Sequence, residues 1–175
     1  MSRSPGNIIV DSLQLSVGYA ERLLKDIPAD RFARFAANAE GTVNSNHAAF
    51  VYGHLCLYPE RIVKQLGKDS AGVAVPEKYT LLFSKDARCQ DDPEGSVYPA
   101  ADEITEFFFR GYRLAAEALR EADDATLQQP NPMPGPMAEK FPTLGSMHNF
   151  YVGGHMMLHL GQLSAWRRMW GLPPA

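Results

Sequence analysis

Cysteine is scarce in this 175-residue chain: only Cys56 and Cys89 occur, and they form no CxxC pair. Two such thiols cannot build a disulfide framework and supply no redox motif or zinc knuckle. Long apolar runs are missing as well. The most apolar stretch, FVYGHLCLY, is too short to span a bilayer and carries His54 at its centre, so no membrane partner is expected. The N-terminal MSRSPGNIIVDSLQLS has no continuous apolar segment behind Arg3, so no secretory or transit signal is readable and a cytoplasmic location is expected. Basic charge is in deficit, with 17 Lys and Arg against 20 Asp and Glu for a net charge of −3. That balance leaves no electrostatic footprint for a phosphate backbone, which argues against nucleic acid as a partner.

Several catalytic signatures are also missing. No GxSxG, phosphate-binding P-loop or GxGxxG is present. The segment HMMLH has Met156 where a zinc peptidase carries the glutamate that serves as general base. No ExxH occurs, which removes the di-iron carboxylate site of ferritin-like bundles.

What the chain does have is 45% hydrophobic and 21% charged residues, enough for one domain, 1–175, with a core of its own. Four segments place apolar residues at helical spacing, and none alternates as a half-buried strand would, so the fold class is all-α. The first helix is predicted over about 7–25, with Pro28 marking its exit. The second is expected to start at an Asn44 or Ser45 cap and run to Gly67, kinked at Pro59. Residues 67–99 form a long connection with a helical turn near EKYTLLF, able to cross the length of a bundle between helices two and three. The third helix is ADEITEFFFRGYRLAAEALREA, with acidic residues in its first turn and Phe107, Phe108 and Phe109 as packing material. After the breaker cluster PNPMPGP, the last helix runs from about Thr143 to Trp170 and stops at Gly171 and the prolines that follow. The expected architecture is a four-helix bundle with a long crossover.

Four of the five histidines fall into pairs seven apart, His47 with His54 and His148 with His155, and His159 follows His155 by four. At 100° per residue, seven steps return to within about 20° and four to within about 40° of the starting direction, so each set shares a helix face. On the last helix that face also carries Leu144, Tyr151, Val152, Leu158, Gln162, Leu163, Trp166 and Met169, which points the histidines inward. A single inward histidine is ordinarily a core residue satisfied by hydrogen bonds. Several together are costly to bury unpaired, and one metal ion compensates all of them. The i, i+4 pair lets His155 and His159 reach one centre, and His54 is the third ligand that an antiparallel neighbour brings level with them. His47 and His148 lie two turns nearer their helix N-termini. Gln162 is read as a tie between the helix and a nearby loop or as a partner of a ligating imidazole, and Gly161 as a close-packing residue.

The segments NHAAFVYGHLCLYPERIVKQLG and GGHMMLHLGQLSAWRRMWGLPP resemble the DinB-like superfamily of four-helix-bundle metalloproteins, named for a damage-inducible protein and unrelated to the polymerase of that label. By that resemblance the metal ligands are His54, His155 and His159, and the ion is one divalent metal such as zinc or nickel. Several members are thiol-dependent transferases or isomerases that use low-molecular-weight bacterial thiols. Tyr151 stands where some relatives carry a further histidine, and no thiol-binding motif is carried over.

The expected function is metal-assisted chemistry on a small-molecule substrate, either thiol transfer or hydrolysis. Phe50, Tyr151 and Trp166 are expected to wall the site. Two alternatives stay open: a non-catalytic metal or small-ligand binding protein, and a haem-binding bundle with two facing histidines. A homodimer is expected from the opposite face of the last helix, where Phe150, Gly153, Met157, Leu160 and Ser164 make an apolar, small-residue stripe.

Overall fold

A computed structural model of the chain describes residues 3–175. The described protein is mostly helical, as the apolar periodicity predicts: α1 (Pro5–Leu24), α2 (Ala48–Leu55), α3 (Pro59–Gln65), α4 (Glu77–Phe83), α5 (Ala101–Glu121), α6 (Asp124–Leu127), α7 (Pro136–Lys140), α8 (Leu144–Asn149) and α9 (Met156–Met169). A π-helical segment, Phe150–His155, joins α8 to α9 without a break. The remaining regular structure is two single 3₁₀ turns and a small hairpin, β1 (Ala37–Asn38) with β2 (Gly41–Thr42), paired Ala37 to Thr42. Among the described residues, no helix is long and apolar enough to cross a membrane.

The helix starts follow from capping chemistry. Ser4 Oγ accepts the Asn7 N–H ahead of Pro5, whose missing N–H costs nothing in a first turn. Thr143 and Ser146 form a reciprocal capping box at α8. The second helix differs from its expected form at both points. Its cap is His47, whose Nδ1 accepts the Phe50 N–H, and not Asn44 or Ser45. Pro59 ends the helix outright: the chain leaves helical pairing after Leu55 and restarts with Pro59 in the first turn of α3, where a proline is tolerated.

The four longest helical runs, α1, α2–α3, α5 and α8–α9, share one core. α5 packs on α1, α2 and α3, while α9 packs on α1 and α2. Trp166, Tyr52, Tyr112 and Phe108 fill the interior, and the two tyrosine hydroxyls are satisfied by the carbonyls of Ala20 and Leu55. Trp166 is fully enclosed and donates to the Arg34 carbonyl, so it is core and not a wall of the site. Arg167 is also buried, and its guanidinium caps the end of α1 by donating to the carbonyls of Leu23 and Lys25.

The 67–99 connection carries α4, which packs on α2. Two acids pin its far end. Asp91 pairs with Arg34 at 2.8 Å, and the buried carboxylate of Asp92 accepts the backbone N–H groups of Ser96, Val97 and Tyr98. Backbone donation to the charged form holds Asp92 below its ordinary pKa against the opposing effect of its own burial.

The face of the last helix expected to carry a dimer is partly covered within the chain, with Phe150, Gly153 and Ser164 half-buried and Met157 exposed. Leu160 is fully buried and Gly153 sits against Ser12 of α1. Conversely Leu158, expected on the inward stripe, is exposed. The π segment explains both. Its wider turn takes one more residue than an α turn, so faces assigned at a constant step are rotated by roughly 100° across it. Gly161 faces open space and packs against nothing, contrary to the close-packing reading.

Candidate metal centre

Residue by residue, α2 supplies His54, the end of the π segment supplies His155 and the first turns of α9 supply His159. His54 is oriented by α4. Gly53 lets the Phe83 ring lie directly on the α2 backbone, in space that a Cβ would occupy, and the same residue's carbonyl accepts the His54 Nδ1–H at 2.8 Å. A carbonyl can only accept, so the proton of His54 is on Nδ1 and its Nε2 is an acceptor, shared between the Tyr58 hydroxyl and the histidine cluster. His159 is fixed in the same tautomer. Its Nδ1–H donates to Gln162 Oε1 at 3.1 Å, and that oxygen also accepts from Asn46 Nδ2 at 3.0 Å. Gln162 thus does both things expected of it, tying α9 to the loop before α2 and orienting an imidazole.

The three Nε2 atoms converge. His155 Nε2 lies 3.4 Å from His54 Nε2 and 3.2 Å from His159 Nε2. All three ligand atoms fall within 4.8 Å of one another, a group able to hold a metal ion. Nitrogens bound about 2.0–2.1 Å from one tetrahedral ion stand about 3.3 Å apart, close to both separations from His155, so the spacing fits a metal ion. His54 Nε2 and His159 Nε2 both face His155 Nε2, which as an N–H can donate to only one of them, and the buried Nδ1 of His155 has no partner at all. Protonation does not relieve this near neutral pH. Burial, reinforced by His159 and His54, holds His155 down to about 3, and burial also lowers His54 and His159. A neutral imidazole is the form that ligates a metal.

The other two histidines stay outside the cluster. His47 donates from Nε2 to the Gln90 carbonyl and accepts at Nδ1, a fully satisfied core residue. His148 is completely buried with neither ring nitrogen bonded, and burial pushes it down to about 4. The π segment lies between His148 and His155, and the extra residue in its turn moves His148 off the shared face.

Two grooves meet at His54 and Tyr58. One, of about 720 Å³, contains Arg61, Lys64, Val75 and Met133. The other, of about 620 Å³, contains His155 and His159 with Phe50, Lys85, Arg88 and Cys89. The triad is therefore reachable from outside, and Phe50 lies in its approach as expected. Tyr151 is reached indirectly, since it is buried and receives a hydrogen bond from Arg61 at 3.0 Å.

Tyr58 and Arg61 are the residues that histidine spacing alone overlooks. The Tyr58 hydroxyl donates to His54 Nε2 at 3.1 Å, and its ring centre lies 4.5 Å from that of His155. Burial, with Tyr151 adding to it, pushes this phenol up to about 12. Tyr58 and Arg61 follow His54 by four and seven, but the chain leaves the helix after Leu55 and restarts at Pro59, so a constant helical step does not place them beside His54. Comparison of the chain with family models, with curated proteins and with solved structures finds no match.

Proposed function

We propose that this chain binds one divalent metal, zinc or nickel, on His54, His155 and His159, and uses it in thiol transfer or hydrolysis on a small molecule. The observation that carries the reading is the convergence of three Nε2 atoms at ligand spacing, with two tautomers locked from behind by Phe83 and Gln162. An ion held by three neutral ligands keeps its full charge and supplies Lewis acidity, lowering the pKa of a thiol or water that reaches it.

The chain's own residues define the rest. The cluster contains no Asp or Glu to act as a base, and of the acids in the neighbouring groove Glu60 accepts the Val75 N–H and Asp86 pairs with Lys85. That favours a nucleophile already acidic, a thiol over water. Phe50 and the ring of Tyr58 limit water at the site, and Gln162 and the Phe83 carbonyl keep two imidazoles in place. We further read the fold as a DinB-like four-helix bundle, on the order of the four helical runs and the long connection between the second and third. We also propose a homodimer through the last helix, where Met157 of the expected stripe is exposed and Leu158 beside it adds apolar surface. Light scattering at micromolar concentration tests it.

A non-catalytic binding site is the second reading, and Tyr58 is the observation that favours it, since its hydroxyl already stands beside a ligand nitrogen where a fourth ligand would sit. Cobalt-loaded protein titrated with 2-mercaptoethanol near pH 7 separates the two. A sulfur-to-metal charge-transfer band supports thiol chemistry. No spectral change with the metal in place, in wild type and in Tyr58→Phe alike, supports the non-catalytic reading.

A further inference from the structure

We infer, building on the thiol-and-metal reading above, that the substrate of this site carries a carboxylate and that Arg61 holds it beside the metal. The chain is acidic overall, yet the two grooves at the triad are lined by four cations, Arg61, Lys64, Lys85 and Arg88, against only Glu60 and Asp86. Asp86 pairs with Lys85 at 3.2 Å, so those two cancel, and Glu60, which accepts the Val75 N–H, offsets one more charge, leaving the lining with an excess of two positive charges. Arg61 has no carboxylate within ion-pair distance among the described residues.

Arg61 is nevertheless a fixed group. Its Nη1 donates to the hydroxyl of buried Tyr151 at 3.0 Å, and its guanidinium centre lies 5.8 Å from that ring's centroid. One donor on Tyr151 leaves the remaining N–H groups for the groove that His54 and Tyr58 also line. A planar guanidinium held in this way is preorganised for two parallel bonds to a carboxylate. The tyrosine pair sets its separation from the ligands. The Tyr151 ring is 4.9 Å from that of Tyr58, which is in turn 4.5 Å from the ring of His155. Arg61 therefore stands about two rings from the metal position, a span suited to a short-chain acid whose thiol end faces the histidines. Leu57, Val75 and Met133 give the groove an apolar side for the carbon stem.

The test uses cobalt-loaded protein with two probes of equal length, 3-mercaptopropionate and its neutral amide, 3-mercaptopropionamide, each followed by the charge-transfer band and by melting temperature. The carboxylate is expected to bind at least about tenfold more tightly than the amide. That preference should fall below about threefold in Arg61→Gln, with Lys64→Gln a milder second variant. Equal binding of the two thiols by wild type, with a band for both, overturns the carboxylate site and leaves the thiol reading standing. No band for either, but an Arg61-dependent rise in melting temperature with the carboxylate alone, overturns the thiol reading and supports the anion site. Neither a band nor a stabilisation overturns both.

Discussion

His148 has neither ring nitrogen bonded and no accessible surface, and burial holds it at about 4 against an ordinary 6.5. In the unfolded chain this imidazole takes up its proton as pH falls through 6.5, whereas in the folded protein it does not do so until about 4. The unfolded state therefore binds more protons throughout that window, and stability must fall with falling pH. At about 1.36 kcal/mol per pH unit, the loss accumulates to about 2 kcal/mol at pH 5 and about 3 kcal/mol at pH 4. Above 6.5 both states are neutral and the effect vanishes. Replacing the ring by Leu, of similar size, removes the titration and two unsatisfied nitrogens together, so His148→Leu should be at least as stable as wild type at pH 7.5. Urea unfolding of both proteins in chelator at a series of pH values reads the effect. The expected result is a stability difference that grows by about 2 kcal/mol in the variant's favour between pH 7.5 and pH 5. A difference that does not change with pH would refute the assignment of His148 as a buried neutral imidazole.

Gln162→Leu removes the acceptor that fixes the His159 tautomer, and metal affinity measured by competition with a chromophoric chelator should drop by about 10–100-fold. Gly53→Ala places a methyl against the Phe83 ring and displaces the carbonyl that orients His54, so it should cost about 1–3 kcal/mol in chemical unfolding and weaken metal binding as well. Arg167→Ala leaves the carbonyls of Leu23, Lys25 and Pro173 without their donor, for an expected loss on the order of 3 kcal/mol in the same assay with metal stoichiometry unchanged.

Much of the helical content was legible because amphipathic spacing is a local property. α1, α5 and the acidic first turn of α5 fall close to where periodicity puts them. The triad was legible for the same reason, since His155 and His159 lie within one regular turn and His54 on an uninterrupted one. The errors arise where the helical step changes. Pro59 resets the second helix, and the π segment rotates the last one, so that Leu158 turns outward, Leu160 inward and His148 away from His155. No composition signal marks that extra residue beyond the Gly153 and Gly154 pair inside it. The cap at His47 was hidden by chemistry, because an imidazole nitrogen performs there the accepting role usually taken by an oxygen. The cationic lining of the grooves could not be read from the chain at all, since Lys85 and Arg88 reach the triad from the long connection.

The most direct measurement is the metal content of protein purified without an affinity tag, wild type beside His54→Ala, His155→Ala, His159→Ala and His148→Leu. The account predicts about one divalent ion per chain in wild type and in His148→Leu, and next to none in His155→Ala and His159→Ala, with His54→Ala close behind. In parallel, a chelator should lower the melting temperature of wild type and leave that of His155→Ala where it was, because the ion binds only the folded state. Full stoichiometry retained in His155→Ala would contradict the three-histidine centre.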